Sequence, residues 1–97
     1  MKLVEKIQEL EALAHKKGVR VTYEVLSGEV GAGGLCKVKG EYRVIIDKRA
    51  LPAERLTMLA DALAFFSYDD IYLPPEVREL IDRSLARQKA REKKAST

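Results

Sequence analysis

The sequence lacks most of the residues that build metal sites and nucleophile sites. Its 97 residues include one histidine, His15, and one cysteine, Cys36. Zinc sites in proteins take about three or four ligands, mostly Cys and His, and no Asp-x-Asp-x-Asp-Gly calcium loop is present. No internal disulfide is possible, and a single His at a helix end offers no Ser-His or Cys-His pair. We predict no metal, no cofactor and no enzymatic activity.

Long apolar runs are also missing. No stretch approaches the ~18 apolar residues that a membrane-spanning helix needs. The first six residues, Met-Lys-Leu-Val-Glu-Lys, lack the apolar core of a signal peptide. We therefore expect no membrane association and a cytoplasmic location. Asparagine is absent and 34% of the residues are charged, a composition typical of heat-adapted proteins.

Positive charge is concentrated at the end of the chain. Residues 86–97 hold five of the 18 basic side chains and one of the 15 acidic ones, so residues 1–85 carry a net charge of −1. A second group of cations falls on a predicted hairpin and just after it. The candidate contacts for a partner or a nucleic acid are Lys37, Lys39, Arg43, Lys48, Arg49, Arg87, Lys89, Arg91, Lys93 and Lys94. A solvated charged face is the alternative interpretation, because Glu41 and Asp47 lie among the hairpin cations.

Apolar periodicity predicts a helix over residues 2–17 and a strand over residues 19–26. Gly18 suits the stop between them. Two short strands, Leu35–Val38 and Tyr42–Asp47, flank a hairpin turn at residues 39–41. A loop that sets Val38 opposite Tyr42 would put Cys36 and Val38 on the core face with Val44 and Ile46.

A helix that is apolar on most sides follows from Pro52 to Phe66, and this pattern predicts burial on most sides. Another helix begins at Pro75, after an extended stretch at residues 71–74. The order α-β-β-β-α-α predicts an α+β fold with a small antiparallel three-stranded sheet and helices packed on one side. We expect one domain over residues 1–86 and a basic tail at residues 87–97, either a frayed solvated helix or a flexible segment.

The glycine-rich loop at residues 28–34 has three possible roles: a phosphate cradle, a structural turn or a partner-binding loop. A phosphate-binding P-loop ends in Gly-Lys-Ser/Thr, whereas Gly34 is followed by Leu35 and Cys36. A dinucleotide-binding loop leads into a helix, whereas a strand follows here. The sequence therefore favours a structural turn.

The phrase Glu54-Arg-Leu-Thr-Met-Leu-Ala-Asp-Ala-Leu-Ala64 resembles the metal-binding helix of minimal zinc peptidases, which carries His-Glu-x-x-His after a similar Ile-Ile-Asp strand. The resemblance covers about residues 2–66. It would place the two ligands at Ala60 and Ala64 and the catalytic Glu at Asp61, so it implies a scaffold whose metal site has been lost. The chain otherwise resembles small bacterial proteins of unknown function.

These observations favour a non-catalytic module that acts through protein contacts, with a homodimer as one form of self-association. Two features support this hypothesis. The chain has few side chains of catalytic type, and residues 56–73 have an excess of apolar surface. The alternative is a protein that binds nucleic acid weakly and without sequence preference, through the hairpin and tail cations.

Overall fold

The computed structural model describes residues 1–26 and 33–95, without the side chains of residues 93–95. The elements are α1 (Leu3–Lys16), β1 (Arg20–Glu24), β2 (Gly33–Val38), β3 (Glu41–Asp47), α2 (Pro52–Leu63) and α3 (Pro75–Ala95). The predicted α+β class is confirmed. Of the glycine-rich loop predicted at residues 28–34, residues 28–32 lie outside the described residues, and Gly33 and Gly34 begin β2.

The sheet is mixed, with strand order β1-β3-β2. β2 and β3 form the expected antiparallel hairpin, but β1 pairs with β3 in parallel, with Val21 beside Val44. The prediction of a fully antiparallel sheet was wrong for this pair. A hairpin signal fixes only the two strands that it joins, and the alternation within β1 shows its buried face but not its neighbour or its direction.

The hairpin register differs from the expected one by one residue. Lys39 and Gly40 both have positive φ angles, 52° and 81°, as a two-residue type I′ turn requires. This tight turn pairs Val38 with Glu41 and Lys37 with Tyr42. Since a shift of one residue turns every side chain of a strand over, Cys36 and Val38 lie on the face opposite the core.

The core lies between one face of the sheet and the helices. Val44 and Ile46 of β3 are fully buried, whereas Ile45 on the other face is partly exposed. Leu10 of α1 and Leu59 and Leu63 of α2 are also fully buried. This burial agrees with helices packed on one side of the sheet and places α2 at the centre of the core.

Local sequence explains where α2 begins and how it ends. Pro52 occupies its first turn, where its fixed φ angle suits a helix and its missing N–H costs nothing. The Glu54 carboxylate accepts a hydrogen bond of 3.0 Å from the Leu51 N–H. Just past the helix, the Tyr68 hydroxyl donates to the Leu63 carbonyl oxygen at 2.5 Å, and burial raises the pKa of Tyr68 to about 12.

Helix α3 begins at Pro75 as predicted and buries Val77 and Ile81. It continues to Ala95, so the domain boundary expected at residue 87 falls inside a helix. Flexibility of residues 87–97 stays a prediction. Within residues 1–26 and 33–95, no helix combines the length and the hydropathy that crossing a bilayer requires.

Candidate functional site

A groove runs between strand β2 and helix α2. Its deeper part is a depression of about 180 Å³. A shallower depression of about 390 Å³ continues from it along the outer side of α2. Met58 lines both, so they form one surface feature, which we call the β2–α2 groove. Its lining residues are Gly34, Leu35, Ala53, Glu54, Thr57, Met58, Asp61 and Ala62.

Strand β2 borders this groove as an edge strand. In the order β1-β3-β2, its second side has no strand neighbour among the described residues. A two-residue turn makes its closing pair, Val38 and Glu41, a hydrogen-bonded pair, and bonded and non-bonded pairs then alternate. Cys36 therefore bonds to β3, whereas the backbone N–H and C=O of Leu35 and Lys37 point to the open side. No residue that the structure describes forms a hydrogen bond with these four groups.

The lysine that would protect this edge is turned away from it. Natural proteins often block an edge strand with a charged side chain, lysine above all. The Lys37 Nζ instead lies 5.0 Å from the ring centroid of Tyr42, its pair on β3. Since Tyr42 lies on the inner neighbour, the ammonium group leans over the sheet and leaves the outer side of β2 open.

A polar network joins α2 to α3 through Asp61, which lines the groove. Ser84, which is fully buried, donates a hydrogen bond to the Asp61 Oδ1, and the Arg87 Nη2 donates to the same oxygen at 2.9 Å. The Gln88 Nε2 donates to the Asp61 carbonyl oxygen at 3.0 Å and to the Ser84 Oγ at 3.2 Å. The Asp61 Oδ2 accepts no hydrogen bond from any residue that the structure describes. One carboxylate oxygen is therefore without a partner among the described residues, while the charge of the carboxylate is paired with Arg87.

An aromatic cluster lies beside Tyr42, at the Lys37 end of β2. The rings of Phe65 and Phe66 lie with their centroids 5.8 Å and 5.2 Å from that of Tyr42. Phe65 is 63% exposed although it belongs to this cluster. The excess of apolar surface expected over residues 56–73 is therefore real at this position, and it lies close to the edge strand.

The hairpin cations predicted as contacts do not form one patch. Lys39 lies at the turn and Lys48 follows the far end of β3, a strand of seven residues, so about 23 Å separates them along the sheet. Arg49 is held by Asp47, with Nε 3.0 Å from Oδ1 and Nη2 2.9 Å from Oδ2. Those hydrogen bonds lower the pKa of Asp47 to about 2. Arg43 lies on the face of the sheet opposite the groove, beside Arg20.

The cations of α3 are also divided. Arg87 belongs to the Asp61 network, whereas Lys89 and Arg91 are exposed. The side chains of Lys93 and Lys94 lie outside the described part of the chain. Lys37 is thus the predicted contact residue that lies on the edge strand, two residues after Leu35 of the groove lining.

The positions that the zinc-peptidase resemblance singled out lie in different surroundings. Ala60 and Ala64 are buried in the core, and Asp61 belongs to the network with Ser84. Within the residues that the structure describes, no group of three or more His, Cys, Asp or Glu side chains is placed to hold a metal ion. No family model, curated protein or solved structure matches the chain, so the resemblance stays untested.

Sequence reasoning missed the groove and the polar network. Asp61 gave a signal, because it is the one charged residue between Met58 and Phe66 in an otherwise apolar stretch. A charged side chain in an apolar stretch indicates that a specific polar group of the protein pairs with it. Ser84 lies on the buried side of α3, three residues after Ile81, and gave a weaker signal of the same kind.

Proposed function

We propose that this protein is a non-catalytic protein-interaction module that takes up an extended partner segment along strand β2. The observation that carries the proposal is the pair of backbone positions, Leu35 and Lys37, that have no strand neighbour among the described residues and lie beside the β2–α2 groove. Adding a strand to a sheet edge is a recurrent mode of peptide recognition, in which main-chain hydrogen bonds provide affinity and pockets provide specificity.

The groove favours a particular kind of segment. Side chains alternate along a strand, so every second residue of an added strand would face α2. Met58 and Ala62 offer an apolar contact there. The Asp61 Oδ2 favours a basic side chain at the neighbouring position, because an ion pair in a partly enclosed site is screened less than one in open solvent. We therefore expect a segment that combines an apolar residue with a lysine or an arginine.

The surroundings of the nucleophile-type side chains support a non-catalytic role. The Ser84 hydroxyl is fully buried and engaged with Asp61, so it is closed to a substrate. Cys36 lies on the face of the sheet opposite the groove. His15 is exposed in the last turn of α1, where a cation suits the helix dipole.

A matched pair of variants tests the proposal. Ten-residue peptides selected from a displayed random library would be titrated against the purified chain, with backbone amide signals followed by NMR. Lys37→Pro removes one outward N–H from the edge, whereas Lys37→Ala keeps it. We expect Lys37→Pro to weaken binding at least tenfold and Lys37→Ala to weaken it by no more than a few-fold. Peptides that bind both variants equally, or that shift signals away from Leu35 and Lys37, would contradict the proposal.

Weak binding of nucleic acid remains the alternative function. The exposed side chains of Lys89 and Arg91 on α3 favour it, because cations on a helix surface can follow a phosphate backbone. The separation of Lys39 and Lys48 at opposite ends of β3 argues against a contribution of the hairpin cations. A single nucleic-acid backbone would have to extend along the whole strand to contact both. Binding would then depend mainly on α3.

A further inference from the structure

The geometry points to a second copy of this chain as the occupant of the β2 edge. This inference rests on the proposed function, since it names the partner that the edge would take. Two copies of β2 would pair antiparallel about a two-fold axis at Cys36, and the two sheets would join into one.

The open backbone groups limit the register. In an antiparallel pair, two opposite residues exchange hydrogen bonds only where the backbone N–H and C=O groups of both point toward the other strand. With the axis at Cys36, Leu35 exchanges hydrogen bonds with the partner's Lys37, and Lys37 does so with the partner's Leu35. Cys36 then faces the partner's Cys36 in a non-bonded pair, and Gly34 faces the partner's Val38. Only outward-pointing residues bond across the new edge, so no hydrogen bond to β3 is lost.

The same register brings opposite charges together. The partner's Lys37 comes to lie beside Leu35, which lines the same depression as Asp61. Its ammonium group can leave its own Tyr42 ring for the Asp61 Oδ2, beside the Arg87 guanidinium that pairs with Oδ1, and the two-fold axis produces this contact twice. No like charges stand directly opposite, because Leu35 faces the lysine and a glycine faces Val38. Like charges in cross-strand positions would disfavour pairing.

The outer side of α2 suits the same arrangement. A two-fold axis perpendicular to the sheet keeps both copies of α2 on one side of it. Three of the four side chains that line the shallow part of the groove, Ala53, Thr57 and Met58, are small or apolar, and Leu51 just before them is 65% exposed. The fourth is Glu54, whose carboxylate accepts a hydrogen bond from the Leu51 N–H. Two such surfaces would face each other across the joined edge.

The sole cysteine of the chain allows a direct test without any substitution. Non-bonded antiparallel neighbours have Cα atoms about 4.5 Å apart, within the range of about 4.4–6.8 Å that disulfides span. Mild oxidation with copper phenanthroline and dissolved oxygen, which takes up the protons and electrons of both thiols, should convert the full chain to a covalent dimer. Because each chain has one cysteine, any disulfide joins two chains. Sedimentation equilibrium without oxidant should show a reversible dimer.

A charge-reversal pair tests the register. Lys37→Glu would bring a carboxylate to Asp61 of the partner subunit, whereas Lys48→Glu makes the same change of charge at an exposed position beyond the far end of β3. We expect Lys37→Glu to weaken the dimer at least tenfold and to slow oxidative crosslinking. Lys48→Glu should change both by less than twofold. A dimer that is insensitive to Lys37→Glu, or that gives no Cys36 crosslink, would overturn the inference.

The outcome also separates this inference from the proposed function. If the chain is monomeric at ~0.5 mM and a selected peptide protects the Leu35 and Lys37 amides from exchange, the second copy is wrong and the binding edge stands. If those amides are already protected in the monomer, the chain covers its own edge and both proposals fail.

Discussion

The hydroxyl of Ser84 donates a hydrogen bond to the carboxylate of Asp61, and this contact fixes helix α3 against helix α2. Ser84 is fully buried, whereas Asp61 lines the groove. Arg87 and Gln88 bind the same aspartate from the next turn of α3. The shape of the groove therefore depends on a polar contact between two helices as well as on apolar packing.

Replacing Ser84 with alanine should destabilise the protein by about 1.5–3 kcal/mol, the usual range for a hydrogen bond to a charged group. The substitution leaves the Asp61 carboxylate with Arg87 alone and opens a small space in the interface of the helices. Urea unfolding measures the change, and Ser67→Ala, at an exposed position, is the control. A loss for Ser84→Ala no larger than that of the control would show that the contact contributes nothing.

Leu63→Ala should cost about 2–5 kcal/mol, as large-to-small changes in a core do. Leu63, the last residue of α2, is fully buried, whereas Leu51, just before the same helix, is 65% exposed. We expect Leu51→Ala to change the free energy of unfolding by less than about 0.5 kcal/mol. Equal effects of the two substitutions would contradict the central position of α2.

Stability should decline in alkaline solution, and Tyr68 should account for part of the decline. The pKa of Tyr68 is raised to about 12 by burial, from about 10 in an unfolded chain. Its contribution is therefore complete below about pH 10 and is lost as the pH rises toward about 12. Tyr68→Phe should flatten the decline of unfolding free energy above pH 10, whereas Tyr72→Phe, at an 80% exposed side chain, should not. The pKa of Tyr23 is also raised to about 12, so part of the slope would remain.

The purified protein should contain no stoichiometric zinc. The positions where the resemblance would place ligands, Ala60 and Ala64, carry methyl groups buried in the core. Elemental analysis of protein purified without chelators measures the metal content. About one zinc per chain would contradict the expectation. It would mean that the chain binds a metal, as the zinc peptidases that it resembles do.

Any binding of nucleic acid should be weak and strongly dependent on salt. The five cations from Arg87 to Lys94 can neutralise at most five phosphates, so the slope of log affinity against log salt should be no steeper than about −4 to −5. Arg87 is also engaged with Asp61, which reduces the number further. Fluorescence anisotropy with mixed-sequence DNA and RNA measures the slope. A clear preference for one base sequence would favour nucleic-acid binding over the protein-interaction role.

Local patterns in the sequence were enough to predict the elements but not the way in which the strands meet. Periodicity located α1, α2, the start of α3 and the β2–β3 hairpin. The predicted hairpin register, with Val38 opposite Tyr42, was wrong. The positive φ angle of Lys39 makes the turn tighter than the glycine at position 40 alone suggests. Left-handed conformations of non-glycine residues are uncommon, so sequence reasoning rarely assigns them.

Sequence patterns could not predict the groove either. It depends on the strand order that makes β2 an edge and on the distance between β2 and α2, and both are tertiary properties. The Asp61 network joins residues 23 positions apart or more, and no local pattern connects them. The lone charge of Asp61 within an apolar stretch was the single sequence signal for it.

Residue-resolved amide hydrogen exchange in dilute protein tests the central claim, that β2 offers an open edge to another strand. The account predicts that the Leu35 and Lys37 amides exchange rapidly, while the Cys36 amide, bonded to β3, exchanges slowly. Adding a selected peptide, or raising the protein concentration until copies pair, should slow Leu35 and Lys37 and leave Cys36 as it was. Slow exchange of all three amides in the dilute chain would contradict the claim, because the edge would already be covered.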